Sequence, residues 1–555
     1  MASLDPHHPH PFRQRLARLR ISPWSLGALM IAAIVMAPIL SVVVIALTPG
    51  DNIWPHLLAT TLPRYMRNTL VLMLSVGLLS GLVGTTVAWL ISRYRFPMSG
   101  WLEWLLLLPL AIPAYVGAYA LVDLFEYSGP VQSWLRGTMG WTSPRDYWFP
   151  QIRSQGAAIL VLTAALYPYV YLLARAAFRE QSGASEEVAR SLGQGPFGRF
   201  RRVGLPLARP AIAAGIAIVM METVNDFGTV DFFAVQTLTT GIFSVWLDGG
   251  NPAGAAQIAS TILVLVVMLI LLERLSRRRL RFFSTGRPPR PVTRQPLRGL
   301  RGWLATLICL VPFAIGFVMP TAVIGWHASR SAIRWSDPEL LRALGNTLTV
   351  GGAAAVVTVL AAVFMVYAVR LSGRRLPRLA MPVSTIGYAA PGAVLGVGLL
   401  IPLARLDHAL ADGIEALSGH DIGLILTGSA FALVLAYTVR FFAIAQGAAD
   451  AAMERISPSL PMAARSLGRS RGQVLREVHF PLIRASIGSA LLLVFVDCVK
   501  ELPATLLLRP FNYNTLATRV HEKASLENLA DAAPAAMLII LVGLAAVGLL
   551  ARTSR

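Results

Sequence analysis

The chain has 555 residues, of which 55% are hydrophobic and only 14% are charged, and its mean hydropathy is +0.61. Soluble globular proteins carry roughly 25% charged residues, so this composition excludes a soluble enzyme and a disordered scaffold and predicts a chain that uses a bilayer as its solvent. The net charge of +21 comes almost entirely from Arg residues that lie between long apolar runs. This placement favours a role in membrane orientation over nucleic-acid binding.

A transmembrane helix needs about 20 mostly apolar residues, and twelve segments approach that length. In chain order they are Trp24–Leu47, Thr69–Ile91, Trp101–Phe125, Gln155–Arg175, Ala211–Val224, Ala256–Leu272, Gly302–Trp326, Thr347–Val369, Leu379–Leu403, Ile422–Phe442, Ala485–Val499 and Ala532–Ala551. The fifth and eleventh segments are short, so we expect these two helices to extend into the neighbouring polar sequence. The predicted fold class is an all-α polytopic membrane protein with about 12 transmembrane helices.

Basic residues predict the orientation of these spans. If the N-terminal segment with Arg13, Arg15, Arg18 and Arg20 is cytoplasmic, most of the remaining Arg residues also fall on the cytoplasmic side. This distribution follows the positive-inside rule and places both termini in the cytoplasm. The Arg- and Pro-rich segment 274–301 shows no apolar period, so we expect it to be a cytoplasmic linker.

Two halves of the chain repeat each other. The pentapeptide Ala189–Gly193, Ala-Arg-Ser-Leu-Gly, returns at Ala464–Gly468, an offset of 275 residues. The tripeptide Asn68–Leu70, Asn-Thr-Leu, returns at Asn346–Leu348, just before the second span of each half. Since six spans bring a chain back to the same side, the two halves have parallel topology, and a pore or binding site at their interface is expected.

The repeat and the linker divide the chain into five predicted parts. They are a cytoplasmic tail with the first span (1–63), a first membrane domain (64–273), the linker (274–301), the seventh span with its outer loop (302–341) and a second membrane domain (342–552).

A polar loop between the fourth and fifth spans of each half carries one spaced motif twice. Its defining residues are Glu187, Ala189, Gly193 and Pro206 in the first half and Met462, Ala464, Gly468 and Pro481 in the second. The spacing predicts a short helix that ends at the Gly, followed by a turn and the entry into the next span.

This loop resembles the EAA signature of the permease subunits of ABC importers, which reads Glu-Ala-Ala, three residues, Gly, nine residues, Ile-x-Leu-Pro. Here Val188 replaces the first Ala, and Met462 replaces the Glu of the second copy. The resemblance implies a bacterial inner-membrane permease in which these short helices dock on two copies of an ABC ATP-binding subunit. It also implies a periplasmic solute-binding protein as the donor of the substrate, with ATP and Mg bound by the partner subunits and no cofactor bound by this chain.

Local strings resemble one subfamily in particular, the fused ferric-iron permeases in which one chain supplies both halves. These strings are Leu108–Tyr115, Val499–Thr505 and Asn514–Arg519. The resemblance implies ferric iron as the substrate. Fused thiamine permeases share the general plan, so a thiamine permease is the alternative substrate class.

Sequence motifs for catalysis are missing. No Gly-Lys pair occurs in the chain, so the sequence has no P-loop for ATP phosphates, and we predict that this chain is not an enzyme. His7, His8 and His10 lie in a Pro-rich tail that is expected to be disordered, and no metal site is assigned to them. A secondary transporter is the alternative from a different class, and the doubled loop motif argues against it.

Acidic residues stand near the outer ends of the fifth and eleventh spans. Glu222 and Asp226 are four residues apart, as are Asp497 and Glu501, and the offset of 275 maps one pair onto the other. If each pair is helical, its two carboxylates share one face. Acids inside a membrane usually face a polar cavity or a partner, and hard cations prefer carboxylate oxygens. The four acids are therefore candidates for the substrate path, and the alternative is a structural network with Lys500.

Overall fold

The computed structural model describes residues 23–48, 52–181, 183–278, 294–330, 332–372, 375–385, 387, 390–420, 423–457 and 459–553. The Arg-rich N-terminal segment, the three His residues near it and most of the predicted linker lie outside the described residues. Within them, eleven helical stretches are long and apolar enough to cross a bilayer, and a bent pair makes a twelfth crossing if it is counted as one span. The described chain is therefore an all-α polytopic membrane protein, as predicted.

Helices of the first half follow the predicted spans closely. They are Pro23–Leu47, Trp54–Ala59, Leu62–Arg93, Ser99–Leu105, Ala114–Phe125, Pro130–Met139, Gln155–Glu180, Gly183–Ser191, Pro196–Arg199, Leu205–Asn225, Gly228–Phe232, Leu238–Phe243 and Pro252–Arg278. A 3-10 turn at Leu108–Ala111 and π-helical turns at Phe200–Gly204 and Ser244–Asp248 complete the half.

Helices of the second half repeat the same order. They are Leu300–Phe313, Met319–Ser329, Ala332–Trp335, Pro338–Ser372, Arg375–Ser384, Gly392–Ser418, Phe431–Glu454, Ser459–Ser466, Arg471–Val474, Phe480–Lys500, Pro503–Leu508, Leu516–Ser525 and Leu529–Thr553. Its π-helical turns are Ala314–Val318 and Leu475–His479. The fifth and eleventh spans do extend toward the polar loops, to Leu205 and Phe480, as predicted.

The third and ninth spans differ from the prediction of continuous helices. In the first half the chain bends by 93° between Ser99–Ala111 and the helix that begins after Pro113. In the second half a new helix likewise begins at Gly392, directly after Pro391. Proline disfavours the helical conformation of the residue before it and has no N–H to donate, so each Pro starts a new helix inside an apolar run.

Each half is held against the other by its first span. Trp24 of the first span stacks on Phe364 of the eighth, with the ring centroids 5.3 Å apart. In the reciprocal contact His327 of the seventh span lies 3.0 Å from the carboxylate of Asp123 in the first half. The first and seventh spans therefore cross between the halves, which joins the two repeats into one unit.

The C-terminal end of the linker docks on the first half. The strand Gln295–Pro296 pairs in parallel with the strand Tyr94–Arg95, and the guanidinium of Arg294 lies 3.2 Å from the carboxylate of Glu103. Glu103 also accepts from Arg179 at 2.7 Å. The sequence analysis did not predict this two-stranded contact, because two residues are too few to show a strand period.

The repeated Asn-Thr-Leu tripeptides make the same hydrogen bonds in both halves. The side-chain N–H groups of Asn68 and Asn346 each donate to a loop carbonyl 168 residues away, at 2.9 Å in both cases. The hydroxyls of Thr69 and Thr347 each accept from a backbone N–H at the start of a helix, at 3.0 and 2.8 Å. The tripeptide thus anchors the loop that follows the fifth span in the first half and the eleventh span in the second.

Candidate functional site

The fifth and eleventh spans end at equivalent places, and an acid follows each end. Asp226 and Glu501 are extended residues directly after the helices Leu205–Asn225 and Phe480–Lys500. The Asp226 carboxylate accepts from the backbone N–H and the hydroxyl of Thr229, at 3.1 and 2.8 Å. Carboxylates in this position cap the short helix that comes next.

Each acid pair would share one helical face only if both of its acids were helical, and this condition is not met. The helix stops before the second acid of each pair, so the spacing of four residues does not stack Glu222 over Asp226 or Asp497 over Glu501. The second acids turn back to the following short helices, and Glu501 accepts from the backbone N–H of Ala504 at 3.2 Å. The physical reason is that capping of that helix competes with continuation of the span.

All four acids nevertheless line one cavity between the halves. The cavity has a volume of about 160 Å³. The residues around it that carry charge or hydrogen-bonding side chains are Tyr115, Tyr169, Glu222, Asn225, Asp226, Arg440, Asp497, Lys500 and Glu501. The cavity therefore lies between the ends of the fifth and eleventh spans, and both repeats contribute to its wall.

Two cations of the second half pair with the acids of that half. The ammonium of Lys500 lies 3.0 Å from Asp497, and the guanidinium of Arg440 lies 3.0 Å from Glu501. The Glu501 side chain is 1% exposed and that of Arg440 is 12% exposed, so this second pair is buried. The sequence analysis anticipated Lys500 but missed Arg440, although a charged residue inside an apolar span is itself a signal of function or pairing.

The cavity wall carries more negative than positive groups. Four carboxylates and two cations give it a formal charge of −2. In the repeat, Asn225 is equivalent to Lys500 and Ala165 is equivalent to Arg440, so the first half has no cation at either position. No group of three or more His, Cys, Asp or Glu residues in the described part of the chain is arranged to hold a metal ion. The cavity is therefore an acidic, oxygen-lined chamber, and its acids do not form a closed metal site.

The two spaced motifs form matching helix ends. Gly193 and Gly468 are left-handed, with φ of +74° and +82°. The N–H of each Gly donates to the carbonyl three residues earlier, at 2.9 and 3.0 Å, and the next N–H donates to the carbonyl five residues earlier, at 3.0 and 3.1 Å. This is the hydrogen-bond pattern of a glycine-terminated helix. Pro206 and Pro481 are the second residues of the spans that follow.

Apolar side chains of these loops are exposed. Ala189 is buried, whereas Glu187 and Met462 point outward and Ala464 is half-buried. The exposed apolar residues are Val188, Leu192 and Phe197 in the first loop and Leu460, Met462 and Leu467 in the second. Clusters of exposed apolar residues on short polar helices are typical of protein-binding surfaces.

A second and larger cavity, of about 750 Å³, lies beside the first half, the seventh span and the segment 524–529. Arg153 bridges two acids there, at 3.0 Å to Glu126 and 2.8 Å to Glu527, and so joins the halves. The Glu126 carboxylate raises the pKa of Arg153 above its ordinary value, since it stabilises the charged guanidinium. The predicted topology places this cavity at the outer side.

Comparison with known proteins fits this architecture. Residues 80–281 and 354–554 each match the family described as the inner membrane component of binding-protein-dependent transport systems. The chain belongs to this family. It carries two copies of the family domain, so it is a fused permease with two halves, and each copy contains one glycine-terminated loop and one span that breaks at a Pro.

Relatives of this permease carry different substrate names. The Fe(3+)-transport system permease protein FbpB 2 of Haemophilus influenzae is 26% identical over 486 residues, which cover 86% of this chain and 87% of that protein. The sulfate transport system permease protein CysT of Escherichia coli is 28% identical over 36% of this chain and 72% of its own length. The molybdenum transport system permease protein ModB of Escherichia coli is 29% identical over 35% of this chain and 86% of its own length.

Proposed function

We propose that this permease carries ferric iron across the bacterial inner membrane. The observation that carries the proposal is the acidic central cavity, in which carboxylates from both halves outnumber the cations four to two. Hard cations are bound by carboxylate and other oxygen donors. A relative that matches both halves along most of the chain is a permease named for Fe(3+) transport, which supports the same substrate.

The charge of the cavity opposes an anionic substrate. Sulfate is the substrate named for a relative that matches about a third of this chain. A dianion in a chamber of formal charge −2 meets like charges at short range, which raises its free energy where the local dielectric constant is low. Ferric iron is therefore favoured over oxyanions on electrostatic grounds. Thiamine is also a cation, so an uptake experiment is what distinguishes it from iron as the substrate.

Energy for transport is proposed to enter through the two glycine-terminated loops. Each loop exposes an apolar surface beside a helix whose end is fixed by a left-handed Gly. Two ABC ATP-binding subunits, with ATP and Mg, would dock there on the cytoplasmic side, and both termini of this chain lie on that side. Closure of those subunits moves the loops and rocks the two halves, which opens the central cavity alternately to each face.

Reconstituted uptake tests the proposal. Proteoliposomes that contain this permease, its ATP-binding subunit and its binding protein should take up radioactive Fe³⁺ in an ATP-dependent manner. They should not take up sulfate or thiamine. The double variant Glu222→Gln with Asp497→Asn keeps the size of both side chains and removes two cavity charges, so most of the iron uptake should be lost.

The matched control removes two charges away from the cavity. Asp412→Asn with Glu415→Gln changes two exposed acids on the helix Gly392–Ser418, and its uptake should equal that of the unchanged protein. Thermal unfolding and ATPase stimulation should be preserved in both double variants. Normal iron uptake in a stable Glu222/Asp497 variant would show that these acids are not part of the substrate path. Uptake of sulfate instead of iron would overturn the assignment of ferric iron as the substrate.

A further inference from the structure

Tyr115 occupies an unusual position at the central cavity. It is the second residue of the helix Ala114–Phe125, directly after the bend at Pro113. The residue is 5% exposed and lines the cavity, and its hydroxyl has no hydrogen-bond partner within the described residues. More than nine in ten buried polar groups are hydrogen-bonded in folded proteins, so this phenol is held without the partner that a structural Tyr normally has.

Two other buried tyrosines of the same region have hydrogen-bond partners. Tyr119, one turn further along the same helix, lies with its hydroxyl 3.0 Å from the ring of His521. Tyr437 makes a 2.6 Å hydrogen bond with the hydroxyl of Thr505. Tyr167 also lacks a partner within the described residues but does not line the cavity, so Tyr115 is the cavity-lining tyrosine with a buried, unsatisfied hydroxyl.

Two more buried oxygens with no hydrogen-bond partner in the described part of the chain face the same cavity. They are Oδ1 of Asn225 and Oε2 of Glu501, on residues that are 5% and 4% exposed. The other oxygen of Glu501 holds Arg440 and a backbone N–H, which leaves Oε2 available. Three oxygen donors from three different breaks in the helices thus converge on one chamber.

We propose that Tyr115 is a ligand for ferric iron in transit, with Asn225 and Glu501 as the neighbouring donors. This inference rests on the proposed function, since it assigns the residues that would hold the proposed substrate. Fe³⁺ is a hard cation that binds phenolate, carboxylate and amide oxygens. When the phenol coordinates iron, its O–H bond breaks, its oxygen keeps the electron pair, and the proton passes to one of the carboxylates that line the chamber.

The electrostatics of the position suit this role. The carboxylates of Glu501 and Asp226 line the same chamber as Tyr115, so their charge attracts a cation to it. In the second half the equivalent of Tyr115 is Ala393, and the tyrosines that line the chamber, Tyr115 and Tyr169, both come from the first half. A transport path requires a site that binds a cation weakly enough to release it, and the ion pairs of Arg440 and Lys500 reduce the negative charge of this chamber.

A visible spectrum tests the assignment. Phenolate bound to Fe³⁺ gives a charge-transfer absorption band that carboxylates and amides do not give. The full chain, purified in detergent and titrated with Fe³⁺ nitrilotriacetate, should develop this band. Tyr115→Phe should abolish it, whereas the control Tyr119→Phe should keep it, because the Tyr119 hydroxyl is directed to His521.

Asn225→Leu supplies a second variant that leaves the phenol in place. It should keep the band and weaken the apparent affinity for iron by about tenfold, the lower end of what the loss of a supporting group costs a metal site. In proteoliposomes, Tyr115→Phe should slow iron uptake while thermal unfolding is unchanged.

Three results would overturn the assignment. They are no band in the unchanged protein, a band that survives Tyr115→Phe, and normal iron uptake by Tyr115→Phe. In each case, ATP-dependent iron uptake by the unchanged protein would leave the proposed function intact. Uptake of another substrate in place of iron would instead defeat the proposed function itself.

Discussion

The two halves of this permease keep the same backbone devices but differ in the side chains that face the cavity. Both halves anchor a loop with Asn-Thr-Leu, end a short helix with a left-handed Gly and break a span at a Pro. Four residues of the first half that line the cavity, however, are replaced at the equivalent positions of the second half. Ala114, Tyr115, Ala165 and Asn225 correspond to Gly392, Ala393, Arg440 and Lys500. The contacts that fix the loops are repeated, whereas the residues exposed to the substrate path are not.

This difference assigns separate tasks to the halves. The second half neutralises its own acids, because Arg440 pairs with Glu501 and Lys500 pairs with Asp497. The first half has no cation at the corresponding positions and contributes two phenols and an amide. One wall of the chamber is therefore rich in oxygen donors, and the other consists largely of ion pairs.

Removal of Arg440 should have the largest effect on the stability of the second half. Arg440→Met keeps an apolar stem and leaves Glu501 buried without its cation. Loss of one partner from a buried ion pair costs about 3–5 kcal/mol, so the free energy of unfolding should fall by about that amount. Chemical unfolding in mixed micelles measures it.

The double variant Arg440→Met with Glu501→Gln is the control for that experiment. It removes both charges, so much of the lost stability should return. At the equivalent site of the first half, Ala165→Ser should change stability little, since no acid depends on that position for a cation. If Arg440→Met were as stable as the unchanged protein, the pair would not be a structural element of the second half.

Hydropathy predicted the twelve spans because membrane burial is read directly from apolar length. It could not predict that the third and ninth spans break, since the residues around Pro113 and Pro391 remain apolar through the break. Nor could it predict the pair of Arg440 and Glu501, which are 61 residues apart and meet only in the folded chain. The repeat offset identified the four acids, but the capping role of Asp226 depends on a helix end that helical periodicity does not show.

Substitution of Gly392 should have the next largest effect on stability. A Cβ at this position would overlap both Oε1 of Glu501 and the guanidinium of Arg440. Overpacking of this kind costs about 1–3 kcal/mol, so Gly392→Ala should destabilise the protein by that amount. The first half already has Ala at the equivalent position, and Ala114→Gly should cost less than about 1 kcal/mol. Equal effects of the two substitutions would show that Gly392 does not make room for the ion pair.

Substitutions of Gly193 and Gly468 should have the same effect in both halves, in contrast to substitutions at the cavity. A Cβ on either residue would meet no atom within 4 Å, so only the backbone opposes substitution. With φ of +74° and +82°, each Gly→Ala variant should lose about 1 kcal/mol. Gly→Asn should lose less, because Asn tolerates the left-handed conformation better than Ala.

The functional readout of these variants separates coupling from stability. If the short helices transmit movement from the ATP-binding subunits, Gly→Val at either position should leave the protein in the membrane while ATPase activity no longer responds to the loaded binding protein. The two positions should give the same defect, since the same hydrogen bonds end both helices. Full ATPase stimulation and full uptake in both Gly→Val variants would make the loops simple connectors. A defect at only one of them would mean that the halves couple unequally, in parallel with their unequal cavity walls.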